Sequence, residues 1–453
     1  MDQKSTARDR ITDGVIWKEM LIFFLPIMAG ALLQQVYNTT DAIIIGRALG
    51  KEALASVGGS SGKIIALLVN FFVSLTSGAS IIISQHFGAG NKQEVKKSIY
   101  TGVVLSVICG LLVMIVGLLA IYPLLHLLQT TPETMESSAA YLRVYFLGVI
   151  PTLIYNMGSS ILRAMGDAKR PLYFLFVSLL LNIGLTALFV LVIPWGVEGA
   201  AGATVLSQIL CTVLVMITLL KLPSDIALVP RKELFDGNIL RSMLKIGLPT
   251  AVQGSMYSIS NAVTQTAINS LGTNSMAAWT AYGKIDDFFW PTSQANGIAI
   301  MTFIGQNYGA GKMDRVREII RQGTYVNLAI AAFFSVFITL ARYPLIELFV
   351  GNDPAVIEIG TTLVLTIIPL YITYSPTAVL SATMRGVGNT FKPMLITMAF
   401  TCFFRLVYLQ IYGFSNLTNT SLALVYPLSW ALTSIAFILY YKFGKWMPTE
   451  QKL

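Results

Sequence analysis

Asp41 stands in the stretch VYNTTDAIIIG, Val36–Gly46, inside a long apolar run. In a helix that crosses a bilayer, a carboxylate costs about 2.5–3.5 kcal/mol on insertion scales, so it is kept for a task or for a partner. Gln34, Asn38 and Asp41 are spaced four and three apart and share one helix face. Such a face must point at protein or water, not at lipid. Two chemistries fit Asp41: uptake of a proton or a sodium ion, or a fixed ion pair with Lys63 at similar depth on the next helix.

A second acidic place lies in GKIDDFFWPTSQANG, Gly283–Gly297. Asp286 and Asp287 precede Phe288, Phe289 and Trp290, and carboxylate beside aromatic faces suits a bulky organic cation. Neighbouring helical residues point about 100° apart, so the two acids cannot do the same job. One of them is expected to pair with Arg405. Gln253, Tyr257, Asn261 and Thr264 form a further polar stripe, expected to line a central cavity or to join helices by hydrogen bonds. With Pro26 set on Pro249, Asn38 falls on Asn261 and Asp41 on Thr264. The acid has no counterpart, so ion coupling is expected in the first half alone.

The elements that must position these residues are membrane helices. Hydrophobic residues make up 55% of the 453-residue chain and charged ones 12%, against about 25% charged in soluble domains. The fold class expected is all-α integral membrane, with twelve transmembrane helices near 15–46, 52–85, 96–123, 136–162, 171–194, 197–221, 239–270, 275–306, 315–342, 354–383, 392–413 and 420–443. With the N-terminus inside, only Arg47, Lys51 and Arg342 fall in outer loops, and Lys63, Arg143, Lys284 and Arg405 within spans. The rest of the 31 basic residues lie on the inner side, which predicts a multi-pass protein of the cell membrane with both termini cytoplasmic. The charge of +9 therefore reports topology and not nucleic-acid binding. Cys109, Cys211 and Cys402 all lie in apolar runs, without disulfide or metal spacing.

The chain repeats. ALGKEALASVGGSSGKI (48–64) matches SLGTNSMAAWTAYGKI (270–285), and SQHFGAGNK (84–92) matches GQNYGAGK (305–312). YPLLHLL (122–128) matches YPLIELF (343–349), and ILRAMGDAKRP (161–171) matches TMRGVGNTFKP (383–393). One register throughout implies an N-terminal six-helix half over 1–221, a cytoplasmic linker over 222–238 and a C-terminal six-helix half over 239–453. Six spans per half make the halves parallel, related by a pseudo-two-fold along the membrane normal. Transporters built this way bind substrate between their halves. On this orientation Asp41 on span one and Thr204 on span six lie in the outer half of the membrane, Asn182 lies mid-span on span five with Thr186 one turn further out, and the four could meet.

These motifs, together with GVEGAAGATVLSQ (196–208), resemble the multidrug and toxic compound extrusion (MATE) family over essentially the whole chain, in its prokaryotic DinF-like or MepA-like branch. The resemblance implies export of amphipathic, often cationic compounds against inward protons or sodium ions. It also implies a cation or proton site at Asp41, Asn182 and Thr204. The family often places a second aspartate one turn after the asparagine, where this chain has Thr186. A single carboxylate among neutral oxygens can still take up a proton, or ligate sodium. Related flippases for lipid-linked precursors supply the alternative function.

Other classes are excluded on their own signatures. GGSSG, Gly58–Gly62, contains G-x-S-x-G, yet it opens a membrane helix and lacks a triad; close helix packing is the expected role. YGAGK, Tyr308–Lys312, lacks the earlier glycine of a phosphate loop. No enzyme, nucleotide, nucleic acid or cofactor is expected, and no metal beyond sodium at Asp41. The partners expected are a small amphipathic substrate and membrane lipid, with the chain acting as a monomer.

Overall fold

Two glycine-bearing loops show how local chemistry sets the helix ends. In the computed structural model, which describes residues 7–229, 234–413 and 416–447, Gly90 takes the left-handed conformation that closes α3 (Gly62–Ala89). Asn91 then caps α4 (Lys92–Leu127), its side chain accepting from the Glu94 amide at 3.3 Å. Gly311 takes the same conformation between α11 (Phe289–Gly309) and α12 (Met313–Leu340). The paired FGAGNK and YGAGK motifs are thus helix stops.

The described chain is helical throughout, in twelve passes. After a short α1 (Ala7–Asp13), span one is α2 (Ile16–Ser56), broken at Gly50 with φ 86°. Spans two and three are α3 and α4. Span four bends by 52° between α5 (Pro132–Leu147) and α6 (Val149–Ala164). Spans five to seven are α7 (Lys169–Ala187) with a π turn, α8 (Gly196–Leu220) and α9 (Gly237–Ser270). Span eight joins α10 (Thr273–Asp286) to α11. Span nine is α12, followed by a short α13 (Arg342–Val350). Span ten runs from α14 (Pro354–Ile367) through a 3-10 turn into α15 (Ser375–Gly386). Span eleven runs from α16 (Phe391–Thr397) through a π segment into α17 (Phe404–Tyr412), and span twelve is α18 (Asn419–Phe443). Spans seven and eight fall short of the apolarity of the others because they carry the polar stripe and the two acids.

Packing divides the chain at places other than the repeat boundary. One compact unit holds Leu25–Ala251 with the first nine residues, and the other holds Arg10–Phe24 with Val252–Leu453. Each half therefore contributes the beginning of its first helix to the other unit, and the divisions fall beside Pro26 and Pro249. The linker expected at 222–238 belongs wholly to the first unit in its described part; residues 230–233 lie outside the described residues. Bare glycine surfaces explain the first exchange. A Cβ on Gly78 would run into the Met243 carbonyl, so α3 and α9 lie backbone to backbone. In the second unit Phe23 meets Phe303 edge to face at 5.7 Å. There α1 is held by hydrogen bonds from Asn307 to the Ile11 carbonyl and from Arg315 to the Gly14 carbonyl, and by the Asp13–Lys312 pair at 2.5 Å.

The packing role expected for Gly58 and Gly62 is not what the fold uses. A Cβ on Gly58 would meet nothing within 4 Å, and one on Gly62 would meet only the Val57 carbonyl of the preceding turn, at 3.4 Å. The stretch forms a π turn, Val57–Ser61, at the entry to span two, and its glycines serve that turn.

Candidate functional site

In the first unit the Thr186 hydroxyl on α7 donates to Asp41 Oδ1 on α2 at 3.1 Å. Asn182 lies one turn before Thr186 on the same face, and neither residue has any exposure. Both amide atoms of Asn182 lack a hydrogen-bond partner, which is costly for a buried group unless something else occupies the place. Tyr37, four residues before Asp41, is buried, within electrostatic reach of Asp41 and with Thr204 beside its hydroxyl. Thr204 itself donates to the Ala200 carbonyl at 3.2 Å. The fold thus joins Asp41 to Thr186 directly, sets Asn182 a turn away, and brings Thr204 in through Tyr37. Tyr37 was missed in the sequence although its four-residue spacing from Asp41 placed it on the same face. Gln34 and Asn38 are exposed on span one.

The expected alternative partner of Asp41 is not there. Lys63 begins the first turn of α3 after the π turn, is exposed, and makes no ion pair. No basic group pairs with Asp41 among the described residues. The donor set is one carboxylate, one amide oxygen and hydroxyls, all hard oxygen ligands that fit a proton or a small hard cation. No group of three or more His, Cys, Asp or Glu residues suited to a metal occurs among the described residues.

In the second unit the two acids part company. Asp286 ends α10 and turns inward, where the Tyr371 hydroxyl and Trp290 Nε1 donate to its two carboxylate oxygens, the latter at 2.7 Å. Phe289 stacks on Tyr371 with ring centroids 3.9 Å apart, and Trp430 closes against Trp290 at 5.6 Å. The aromatic rings expected to greet a cation therefore enclose this carboxylate. Asp287 and Phe288 are exposed, as are Lys284 and Gln294 of the same stretch.

Arg405 does not pair with either acid, contrary to expectation. Its Nε donates to Ser429 at 3.2 Å, its Nη1 to Asn261 at 3.3 Å, and it lies 4.5 Å above the Tyr426 ring. The π segment Met398–Phe403 precedes it, and its guanidinium faces α9 and α18, while Asp286 faces the 3-10 turn of span ten.

The span-seven stripe is divided between buried and exposed positions. Gln253 and Thr264 are buried, and Thr264 donates back to the Ser260 carbonyl at 2.9 Å. Tyr257 is half-buried, and Asn261 is exposed with Ser258 and Gln265. Of the four residues expected on the cavity face, Asn261 lies on the exposed side, Tyr257 at its edge, and the other two inside.

Comparison with known proteins agrees with this architecture. A family model described as MatE matches residues 26–188 and 249–410, once in each half. The chain is 27% identical to the probable multidrug resistance protein YpnP of Bacillus subtilis, over 96% of this chain and 97% of that protein. It is also 27% identical to the probable multidrug resistance protein YoeA of the same organism, over 84% of each. Among solved structures, one described as the outward-facing conformation of a multidrug resistance MATE family transporter shares the fold with a TM-score of 0.89, at 23% identity over 97% of this chain and 98% of that one.

Proposed function

The chain belongs to the MatE family of membrane transporters, and from this premise we propose that it is a secondary antiporter that exports amphipathic compounds in exchange for protons or sodium ions. Transport of small molecules, and not enzymatic chemistry, is the function its relatives named as multidrug resistance proteins support. The coupling site is Asp41, with Thr186, Asn182 and Thr204 around it. The observation that carries this is a half-buried carboxylate without a basic partner, close to an asparagine whose two amide atoms are unmatched. Ion binding there would reshape span one about Pro26, whose missing N–H weakens the helix at the unit division. Export would follow by alternating access of the two halves in the cell membrane, with both chain ends cytoplasmic and the protein acting as a monomer.

The test is export of an amphipathic dye from proteoliposomes under imposed proton or sodium gradients, comparing wild type with Asp41→Asn. Gradient-driven export that is lost in the variant, at equal protein level, supports the reading, and the gradient that works names the ion. Undiminished export in Asp41→Asn would sink it. A second reading, a flippase for a lipid-linked precursor, is favoured by Arg385 and Arg405 of the second unit, which have no acidic partner among the described residues.

A further inference from the structure

The second half carries a counterpart of the coupling site, and an arginine stands in it. The register that sets Pro26 on Pro249 puts Asn38 on Asn261 and Asp41 on Thr264. In spans six and twelve, LSQ (206–208) matches LSW (428–430), which puts Thr204 on Tyr426. Spans five and eleven match at Pro171 and Pro393. Asn182 follows the first proline by eleven residues, and Arg405 follows the second by twelve. Span five is α-helical over that stretch, whereas span eleven passes through the π segment Met398–Phe403. A π turn takes up one residue more than an α turn, so Arg405 comes to the place of Asn182.

Contacts within the second unit assemble these counterparts. Arg405 Nη1 donates to Asn261 Oδ1 at 3.3 Å and Nε to Ser429 Oγ at 3.2 Å, and the guanidinium lies 4.5 Å from the Tyr426 ring centroid. The residue is 3% exposed and makes no ion pair among the described residues. Thr264, where the first half has its acid, donates to its own helix at the Ser260 carbonyl. Amide oxygen, hydroxyl oxygen and an aromatic face all attract a cation. In the first half the counterpart Asn182 has both amide atoms unmatched. A guanidinium carries a permanent charge on a tether, so it serves such a place without exchanging with the medium.

We propose that Arg405 is a built-in cation: its guanidinium holds spans seven, eleven and twelve as a bound ion would, and so frees the second half from the coupling ion. Arg405 is a positioning residue in this role, and ion dependence is confined to the half that carries Asp41. The proposal rests on the coupling reading above.

The test is chemical rescue in the full-length protein. Arg405→Ala is compared with wild type for dye export from proteoliposomes and for thermal unfolding in detergent, each in millimolar guanidinium or in the same concentration of potassium. Arg405→Ala is expected to lose export by about tenfold or more, because charge-assisted hydrogen bonds are lost. Free guanidinium, and not potassium, should restore most of that export and raise the melting temperature of the variant, while wild type responds to neither. A folded Arg405→Ala that exports normally, or that guanidinium does not restore, overturns the proposal. Should Arg405→Ala not elute as folded protein, Arg405→Lys and Arg405→Met decide: the first should keep part of the export and the second should lose it, and equal export by the two overturns the proposal. Ion dependence is read in an Asp41→Asn background. Adding Thr264→Asp with Arg405→Asn, which transplants the pair of the first half, should make the melting temperature depend on the coupling ion more steeply than Asp41→Asn alone does. Identical ion dependence in the two overturns the proposal. A wild type that exports under no gradient, with Arg405→Ala stabilised by guanidinium, loses the coupling reading and keeps the tethered cation. One that exports under a gradient while Arg405→Ala ignores guanidinium does the reverse.

Discussion

Thr186 donates its hydroxyl hydrogen to Asp41 across 145 residues of sequence, and no lysine or arginine among the described residues pairs with that carboxylate. A threonine steadies an acid without neutralising it, which leaves the charge available to a mobile ion. Thr186→Val keeps the shape and removes the donor. Its stability cost is expected to be small, about 0.6 kcal/mol for an interhelical bond in a membrane protein. The ion concentration that half-saturates export should shift by about tenfold, because the lost bond is to a charged group. Thermal unfolding in detergent paired with export rates at graded ion concentrations checks both halves of the statement. A large loss of stability without a change in ion dependence would mark Thr186 as a packing residue.

Asp286 and Asp287 should separate cleanly on mutation. Asp286→Ala leaves the Tyr371 hydroxyl and Trp290 N–H without their acceptor inside a ring cluster, a loss of about 1–3 kcal/mol for each unsatisfied group. Asp287→Ala, at an exposed position, should change stability by less than about 0.5 kcal/mol. Thermal unfolding of the two variants side by side decides it, and equal losses would refute the assignment.

The docking of α1 should weaken slightly in acid. Hydrogen bonds from Lys312 and then from Thr12 hold the Asp13 carboxyl below its ordinary range. A carboxyl lowered on folding adds stability above its unfolded value of about 3.9, and that contribution is lost as pH falls through the lower folded value. Hydrogen exchange of α1 should therefore be flat from neutral pH to about 5 and should rise relative to the other helices below about pH 4. Asp13→Asn should abolish this pH dependence. The pair is largely exposed, so the effect is local and small.

Gly78 and Gly58 should respond differently to alanine. Gly78→Ala drives a methyl group into the Met243 carbonyl, and the backbone contact of α3 with α9 must open, at about 1–3 kcal/mol or more. Gly58→Ala meets no neighbour and should stay within about 1 kcal/mol of wild type. Melting temperatures in detergent rank the two. A larger loss at Gly58 would restore the packing role that GGSSG suggests.

The sequence by itself determined the helices, their number and their duplication. Bilayer hydrophobicity and a repeat in one register are properties of the chain order, so they survive without coordinates. Asp41 was legible for the same reason, since one charge in an apolar run needs an account wherever the helix packs. What each charged group faces was not legible. Lys63 and Arg405 were natural partners for nearby acids by depth, yet depth along the membrane says nothing about rotation around a helix axis. The π turns at Val57–Ser61 and Met398–Phe403 change that rotation locally, and neither has a pattern of residue types that announces it. Tertiary packing therefore decided that Asp286 turns to tyrosine and tryptophan, that Arg405 turns to asparagine and serine, and that the first turns of spans one and seven pack in each other's unit.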